Sequence, residues 1–399
     1  MTNFFPLGDI TELITKGTTP STLGGGFMSS GINFIKVESI SDGGVILKEK
    51  LAYIDEATHA KLARSILRKD DILFSIAGAI GRTTRVAESV LPANTNQALA
   101  IIRVDQSKAC VDYVHQCVQG DAFIKTCSDK SVKSAQANVS LGSMAKARLY
   151  LPPLAEQRKI AEILRTWDEA IETAEAEIKA KQERKRWLAE TVLSGSVRVK
   201  GHKTAWDKKR LDQIGKIVPG GTPSTSIPEY WNGDVPWVTP TEITKLKTPY
   251  IHITESLITS EGVRNSSAAL LPVDSLIVCT RATVGVCAIN KVPMTTNQGF
   301  KSIVPESTDD TLFLYYVLNS MQSTFNRLAQ GSTFLEISKT QFEKMTIIWP
   351  EAEERRQIAS LMRTADEQTE KIAERIESLR TQKRGLMQKL LTGEVRVAA

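Results

Sequence analysis

Three groups of polar residues in this chain have the types and spacing to bind a phosphate or a base edge. Gly220-Gly221-Thr222-Pro223-Ser224 concentrates backbone N–H groups and hydroxyls in one short run, which could suit a phosphate but suits a plain turn better. Arg281-Ala-Thr283-Val-Gly285 follows the apolar run Ser275–Thr280 and aligns with Ala77-Gly-Ala-Ile-Gly-Arg82. An arginine leaving a strand end can hold guanine N7 and O6 bidentately, or it can form a surface ion pair. Asn96-Gln97 and Asn297-Gln298 occupy matched places. Their amides suit adenine edges, and they suit the capping of a turn just as well. The candidates for nucleic-acid contact are therefore Thr18, Thr19, Arg82, Arg85, Asn96, Gln97, Gly221, Thr222, Ser224, Arg281, Thr283, Asn297 and Gln298.

Residue sets for catalysis are not found. There is no GxxxxGK[ST] loop, no HExxH and no GxGxxG after a strand, so neither a P-loop motor nor a zinc hydrolase is expected. Methyl transfer to a base amino group generally uses an acidic, Asn or Ser residue, then Pro-Pro and an aromatic. The Pro152-Pro153 pair lies between Leu151 and Leu154 and reads as a helix start. His59, His115, His202 and His252 are scattered, and the five cysteines form no CxxC pair. The expectation is a chain with no catalytic residue, no metal and no cofactor of its own, its thiols reduced in a cytoplasm. The N-terminus MTNFFPLGDI lacks the basic start and long apolar core of a signal peptide. Every apolar run is interrupted well short of the ~20 residues of a membrane span. A net charge of +6 on 399 residues is compatible with nucleic acid without requiring it.

The elements that must position these residues come in two copies. Leu188–Val199 matches Leu386–Val397 at an offset of 198, and Arg158-Lys-Ile-Ala161 matches Arg356-Gln-Ile-Ala359 at the same offset. Ahead of them, Thr19-Pro-Ser-Thr22 matches Thr222-Pro-Ser-Thr225 at 203, and Thr95-Asn-Gln97 matches Thr296-Asn-Gln298 at 201. The drift marks small loop insertions around shared landmarks. Each second half reads as one long helix without internal proline, running from Pro153 to about Leu193 and from Pro350 to Gly393. The apolar stripes are Ile160, Leu164, Trp167, Ile171, Ile178 and Leu188, then Ile358, Leu361, Ile372, Ile376, Leu379 and Leu386. Their steps of three and four are those of a coiled coil, and ~40 residues is more helix than one compact domain covers. The two helices are expected to pair, antiparallel. The first halves are mixed α/β: Asp71–Ile76, Ser275–Thr280, Leu99–Val104 and Ser302–Val304 read as strands, Leu312–Leu318 as helix.

Leu151-Pro-Pro-Leu-Ala-Glu-Gln-Arg-Lys-Ile160 and Trp349-Pro-Glu-Ala-Glu-Glu-Arg-Arg-Gln-Ile358 resemble the helix starts of the specificity subunits of type I restriction–modification systems. Thr222-Pro223-Ser224, Tyr230-Trp231, Pro236-Trp237, Gly78–Arg82 and Thr296–Gln298 resemble that family's target-recognition domains, and the domain–helix–domain–helix order is its most specific feature. Two departures stand out: Glu354-Arg355 replaces the Glu-Gln pair of the central copy, and the first domain lacks the Tyr-Trp pair. The resemblance implies an α+β, mixed α/β fold with two similar target-recognition domains, 1–150 and 206–348. Two long helices, 151–205 and 349–399, separate them as an antiparallel coiled coil, a pseudo-two-fold internal repeat. It further implies a partner set of double-stranded DNA, two adenine methyltransferase subunits and two restriction subunits, with S-adenosylmethionine, ATP and Mg used by those partners. Divergence of the two domains suggests unlike half-sites, and the helical rod suggests a fixed spacer. A reader in another DNA-modifying or defence assembly, or a protein-only scaffold, remains an alternative reading of the same pattern.

Overall fold

In the computed structural model, which describes residues 3–127, 139–329 and 336–398, the run expected at 71–76 forms the strand Ile72–Ser75, buried at every position. Ile72 and Phe74 enter one core and Leu73 another, because successive strand residues point to opposite faces. The run shows no apolar–polar alternation because both faces are covered. It is the third strand of a four-stranded antiparallel sheet in the order Thr11–Lys16, Leu99–Val104, Ile72–Ser75, Thr83–Arg85. One face packs on a three-stranded sheet, Ala52–Ile54, Ile32–Ile35 and Ala93–Thr95, through Ile35, Leu73, Ala93 and Ile101. The other packs on the helix Val111–Gln119 and on Ile160, Leu164, Met387 and Leu390 of the two long helices. These residues make one compact unit, Met1–Glu177 with Ala373–Ala399.

The second unit, Ile178–Ile372, repeats the plan. Its sheet runs Gly215–Pro219, Lys301–Pro305, Leu276–Val278, Cys287–Asn290, and gains a fifth strand, Tyr250–Ile251, parallel to the fourth. Ser256–Ile258, Trp231–Val238 and Thr295–Thr296 form its three-stranded sheet. The segment expected at 312–318 is the helix Thr311–Ser320. Among the described residues no helix is long and apolar enough to cross a membrane.

The long helices run Leu154–Val192 and Ala352–Leu390, 39 residues each. Within the first unit Asp168 meets Lys383 at 2.5 Å and Glu175 meets Arg380 at 2.6 Å. One number rises as its partner falls, so the pairing is antiparallel. Within the second unit Lys181 donates to Gln368 at 3.0 Å and Lys185 pairs with Asp366, again antiparallel. The stripe is buried or half-buried at Ile160, Leu164, Trp167, Ile171, Ile178 and Leu188, and at Ile358, Ile372, Ile376, Leu379 and Leu386. Leu361 departs from expectation. It is 40% exposed, while Met362 is 1% exposed. From Ile358 the buried line steps by four, to Met362 and on to the buried Asp366, so the three-residue step falls later in the helix.

The two ion pairs are one contact used twice. Asp168 and Lys185 lie on the first helix, and their equivalents 198 residues on, Asp366 and Lys383, lie on the second. Each aspartate also accepts a bond from its own unit's sheet-packed helix: Gln116 Nε2 to Asp168 at 2.8 Å, Tyr316 OH to Asp366 at 2.6 Å. The helix starts are reciprocal as well. Glu156 accepts from Arg396 Nε and Nη2 at 2.8 and 2.7 Å and from Val397 N at 3.1 Å. Glu354 accepts from Arg198 at 2.8 and 2.7 Å and from Trp206 Nε1 at 2.7 Å. The Gln157/Arg355 departure is compensated. Gln157 accepts from Cys110 N at 2.8 Å, whereas Arg355 grips Asp310 at 2.6 and 2.9 Å, and both donate to the prolyl carbonyl five residues back.

Burial alone would raise the Glu354 carboxyl, but the Arg198 and Trp206 bonds outweigh it and hold it below the usual 4.5. A carboxylate depressed in the folded state contributes stability that is present above the unfolded value and is lost as the pH falls below it. Glu354→Gln is expected to lower Tm by roughly 5 °C at pH 7. The deficit should shrink as the pH falls below 4.5. Calorimetric scans of both proteins across that range check this, and a deficit independent of pH would contradict it.

Candidate nucleic-acid interface

The first sheet's edge strand ends at Lys16, and the chain turns at Gly17 onto the turn that follows Ala93–Thr95. Gly17 N donates to Leu99 O at 3.2 Å and Thr18 N to Thr95 O at 3.0 Å. The second unit repeats both bonds, Gly220 N to Phe300 O at 3.0 Å and Gly221 N to Thr296 O at 2.8 Å. Glycine is required by this approach, since a Cβ on Gly17 would lie 2.1 Å from Thr95 O, and one on Gly220 1.8 Å from Asn297 O.

The next residues lock side chains across the same gap. The Thr19 hydroxyl donates to Gln97 Oε1, and the Thr222 hydroxyl to Gln298 Oε1. Asn96 Oδ1 accepts from Ala98 N at 3.2 Å, and Asn297 Oδ1 from Gly299 N at 2.8 Å. Both asparagines therefore cap their turns through their carbonyl oxygens. Asn96 and Asn297 are half-buried, Gln97 and Gln298 exposed. Thr18 Oγ1 accepts from Arg64 Nη2 at 2.9 Å, a cation that the sequence pattern did not single out.

In the second unit the loop is braced by two indoles. Trp237 Nε1 donates to Gly221 O at 2.9 Å and Trp231 Nε1 to Ser224 O at 3.1 Å, with the rings edge to face at 5.1 Å. Ser224 Oγ itself meets Ser226 Oγ at 2.8 Å. This gives the Tyr-Trp and Pro-Trp motifs a role as props of the loop. In the first unit the ring contact is Phe27 on Phe34 at 5.3 Å, which brings no indole donor. That is the physical content of its missing Tyr-Trp pair.

The turn after the central strand is also duplicated. Gly78 and Gly81 have φ of 75° and 89°, Ala282 and Gly285 have 63° and 89°. Arg281 stands where the first unit has Ala77, and Pro240, Arg281, Ala282, Asn297, Gln298 and Gly299 line a hollow of about 250 Å³. Glu336 lies 4.0 Å from Arg281 and 3.5 Å from Lys301. Burial pushes the Lys301 ammonium below its ordinary range. Thr283 is exposed in the turn, its carbonyl accepting from Val286 N at 3.4 Å. The structure brings Thr19 to Gln97, and Thr222 and Arg281 to the Asn297-Gln298 turn. Arg82 and Arg85 are engaged elsewhere. Arg82 pairs with Asp42 and bonds Ile40 O at 3.3 Å. Arg85 pairs with Asp112 and Asp70 in a cleft of about 520 Å³ bordered by Arg158 and Asp168 of the long helix.

Two α/β units with equivalent polar turns, each built onto halves of two long helices, define a duplicated recognition protein. The chain belongs to the type I restriction modification DNA specificity domain family, whose model matches residues 2–183 and again 203–381. It is 36% identical to the Type I restriction enzyme MjaIX specificity subunit of Methanocaldococcus jannaschii over 41% of this chain, a stretch spanning 38% of that relative's length. A putative type I restriction enzyme MjaX specificity subunit of the same organism is 24% identical over 98% of this chain and 93% of its own. A chain from a solved structure concerned with complex assembly and conformational transition of the type I R-M system superposes with a TM-score of 0.65 at 17% identity, covering 98% of both chains. That likeness shows the shared fold.

Proposed function

We propose that this chain is the DNA-specificity subunit of a cytoplasmic type I restriction–modification complex. Each unit reads one half of a bipartite, asymmetric DNA site, and the paired helices set the spacer and dock two adenine methyltransferase subunits. Two restriction subunits complete the assembly. Methylation, translocation and cleavage belong to those partners, with their S-adenosylmethionine, ATP and Mg, and this chain supplies no catalytic residue. The observation that carries the reading is the duplicated Thr–Gln contact on a glycine-packed turn, set among side chains that differ between the units, such as Arg281 against Ala77. Equivalent frames with unlike surroundings suit two readers of unlike sequences.

Replacing residues 1–150 with the matching segment of a relative tests the division of labour. Methylome sequencing of cells carrying the complete system is expected to show one half-sequence changed, the other half and the spacer retained. Both halves changing together would defeat it. Loss of all motif methylation on deleting this gene is the accompanying expectation.

A further inference from the structure

We propose that the Thr-Asn-Gln turn of each unit grips a DNA phosphate rather than reading a base. The inference rests on the DNA-reading function above and specifies what this turn does within it. The carbonyl oxygens of all four amides are already used: those of Asn96 and Asn297 by backbone N–H groups, those of Gln97 and Gln298 by threonine hydroxyls. A backbone N–H can only donate, so the asparagine amides are fixed with their oxygens inward. The four NH₂ groups have no partner among the described residues. Bidentate recognition of adenine needs one donor and one acceptor from the same amide. Here each carbonyl oxygen is turned onto its own frame by the bond it accepts, and each NH₂ group is left without a partner among the described residues, so the amides are set to donate, which fits a ligand made of acceptors.

Guanine N7 and O6 and the phosphate oxygens are both such ligands, and duplication decides between them. The same turn, with the same bonds, stands in both units, while Arg281 and Trp237 are replaced by Ala77 and Phe34 at the corresponding places. A base contact kept identical in both units would impose the same base on both half-sites. A phosphate contact imposes none, and it places each reader on the duplex. The glycine packing adds rigidity, since the donors sit on a turn that backbone holds at both ends. In the second unit Arg281 lines the same hollow as Asn297 and Gln298, which places a cation beside the two amides.

The test uses the complex with its methyltransferase subunits and a duplex carrying the methylated motif, with single phosphates replaced by neutral methylphosphonate. The parent complex is expected to lose about 10-fold in affinity at one phosphate per half-site. Gln298→Leu, at an exposed position, should bind specific and unrelated duplexes about equally more weakly. It should no longer respond to the substitution in its own half and should methylate the same motif. A changed or relaxed motif in Gln298→Leu would overturn the proposal in favour of base reading, and full methylphosphonate sensitivity in that variant would overturn it in favour of a purely structural turn. Failure of the parent complex to bind its motif duplex would instead sink the DNA-reading function on which the proposal stands.

Discussion

Four residues inserted after Ile178, together with four after Ile372, are expected to lengthen the spacer of the methylated site by about two base pairs and to leave both half-sequences unchanged. Four residues add ~6 Å of helix and a little over one turn, so the apolar stripe keeps its facing. Two base-pair rises are ~7 Å. The paired insertion keeps every reciprocal contact. Asp168 and Lys383 both lie outside the insertion points, and Lys185 and Asp366 both lie between them. An insertion in the first helix alone is different. It moves Lys185 away from Asp168 along one helix while Asp366 and Lys383 keep their separation on the other, so one half-buried pair must break. Breaking such a pair strands a charge, and the single insertion should lose stability rather than shift the spacer. Methylation-site mapping of both variants beside the parent decides it. An active paired-insertion variant with the parental spacer would show that the helices do not measure the distance.

Much of this was legible because the chain carries its own comparison. The 198-residue match from about 151 to 199 placed the ends of the long helices within three residues of Leu154–Val192 and Ala352–Leu390, since steps of three and four are a strong local signal. The landmarks Thr19-Pro-Ser and Thr95-Asn-Gln were visible as repeats, yet their contact was not. Thr19 and Gln97 are 78 residues apart, and only tertiary folding brings them together. Leu361 was assigned to the stripe because a three-residue and a four-residue step are equally allowed from Ile358, and packing chose the latter. Arg82 and Arg85 looked like outward cations because sequence shows a charge but not its partner, and Asp42 and Asp112 lie 40 and 27 residues away. The partners of Asp168 and Asp366 were hidden for the same reason. A signal did exist, since Asp168, Lys185, Asp366 and Lys383 all sit on the 198-residue repeat, and charged residues repeated on an apolar face invite a search for each other.

Gly220→Ala is expected to cost the second unit its half of the site, and Gly17→Ala the first unit its half. The added methyl would meet Asn297 O at 1.8 Å and Thr296 Oγ1 at 2.6 Å in one case, and Thr95 O at 2.1 Å and Asn96 O at 2.4 Å in the other. The nearest obstacle is backbone in both, so turning a side chain aside cannot clear the clash. The turn must lift, and that breaks the Gly220–Phe300 and Gly221–Thr296 bonds or their counterparts and pulls the threonine from its glutamine. Overpacking of this kind costs about 1–3 kcal/mol, which at a binding loop corresponds to roughly 10- to 100-fold in affinity. Gly26→Ala is the control, because a Cβ there meets nothing within 4 Å, and it should bind as the parent does. Footprinting of the assembled complex gives each variant a signature: Gly220→Ala should keep protection over one half-sequence and lose it over the other, and Gly17→Ala should do the converse. Equal loss over both halves would mean that the turns serve the folding of the whole chain, and parental protection in both variants would remove the glycine-packed turn from the interface altogether.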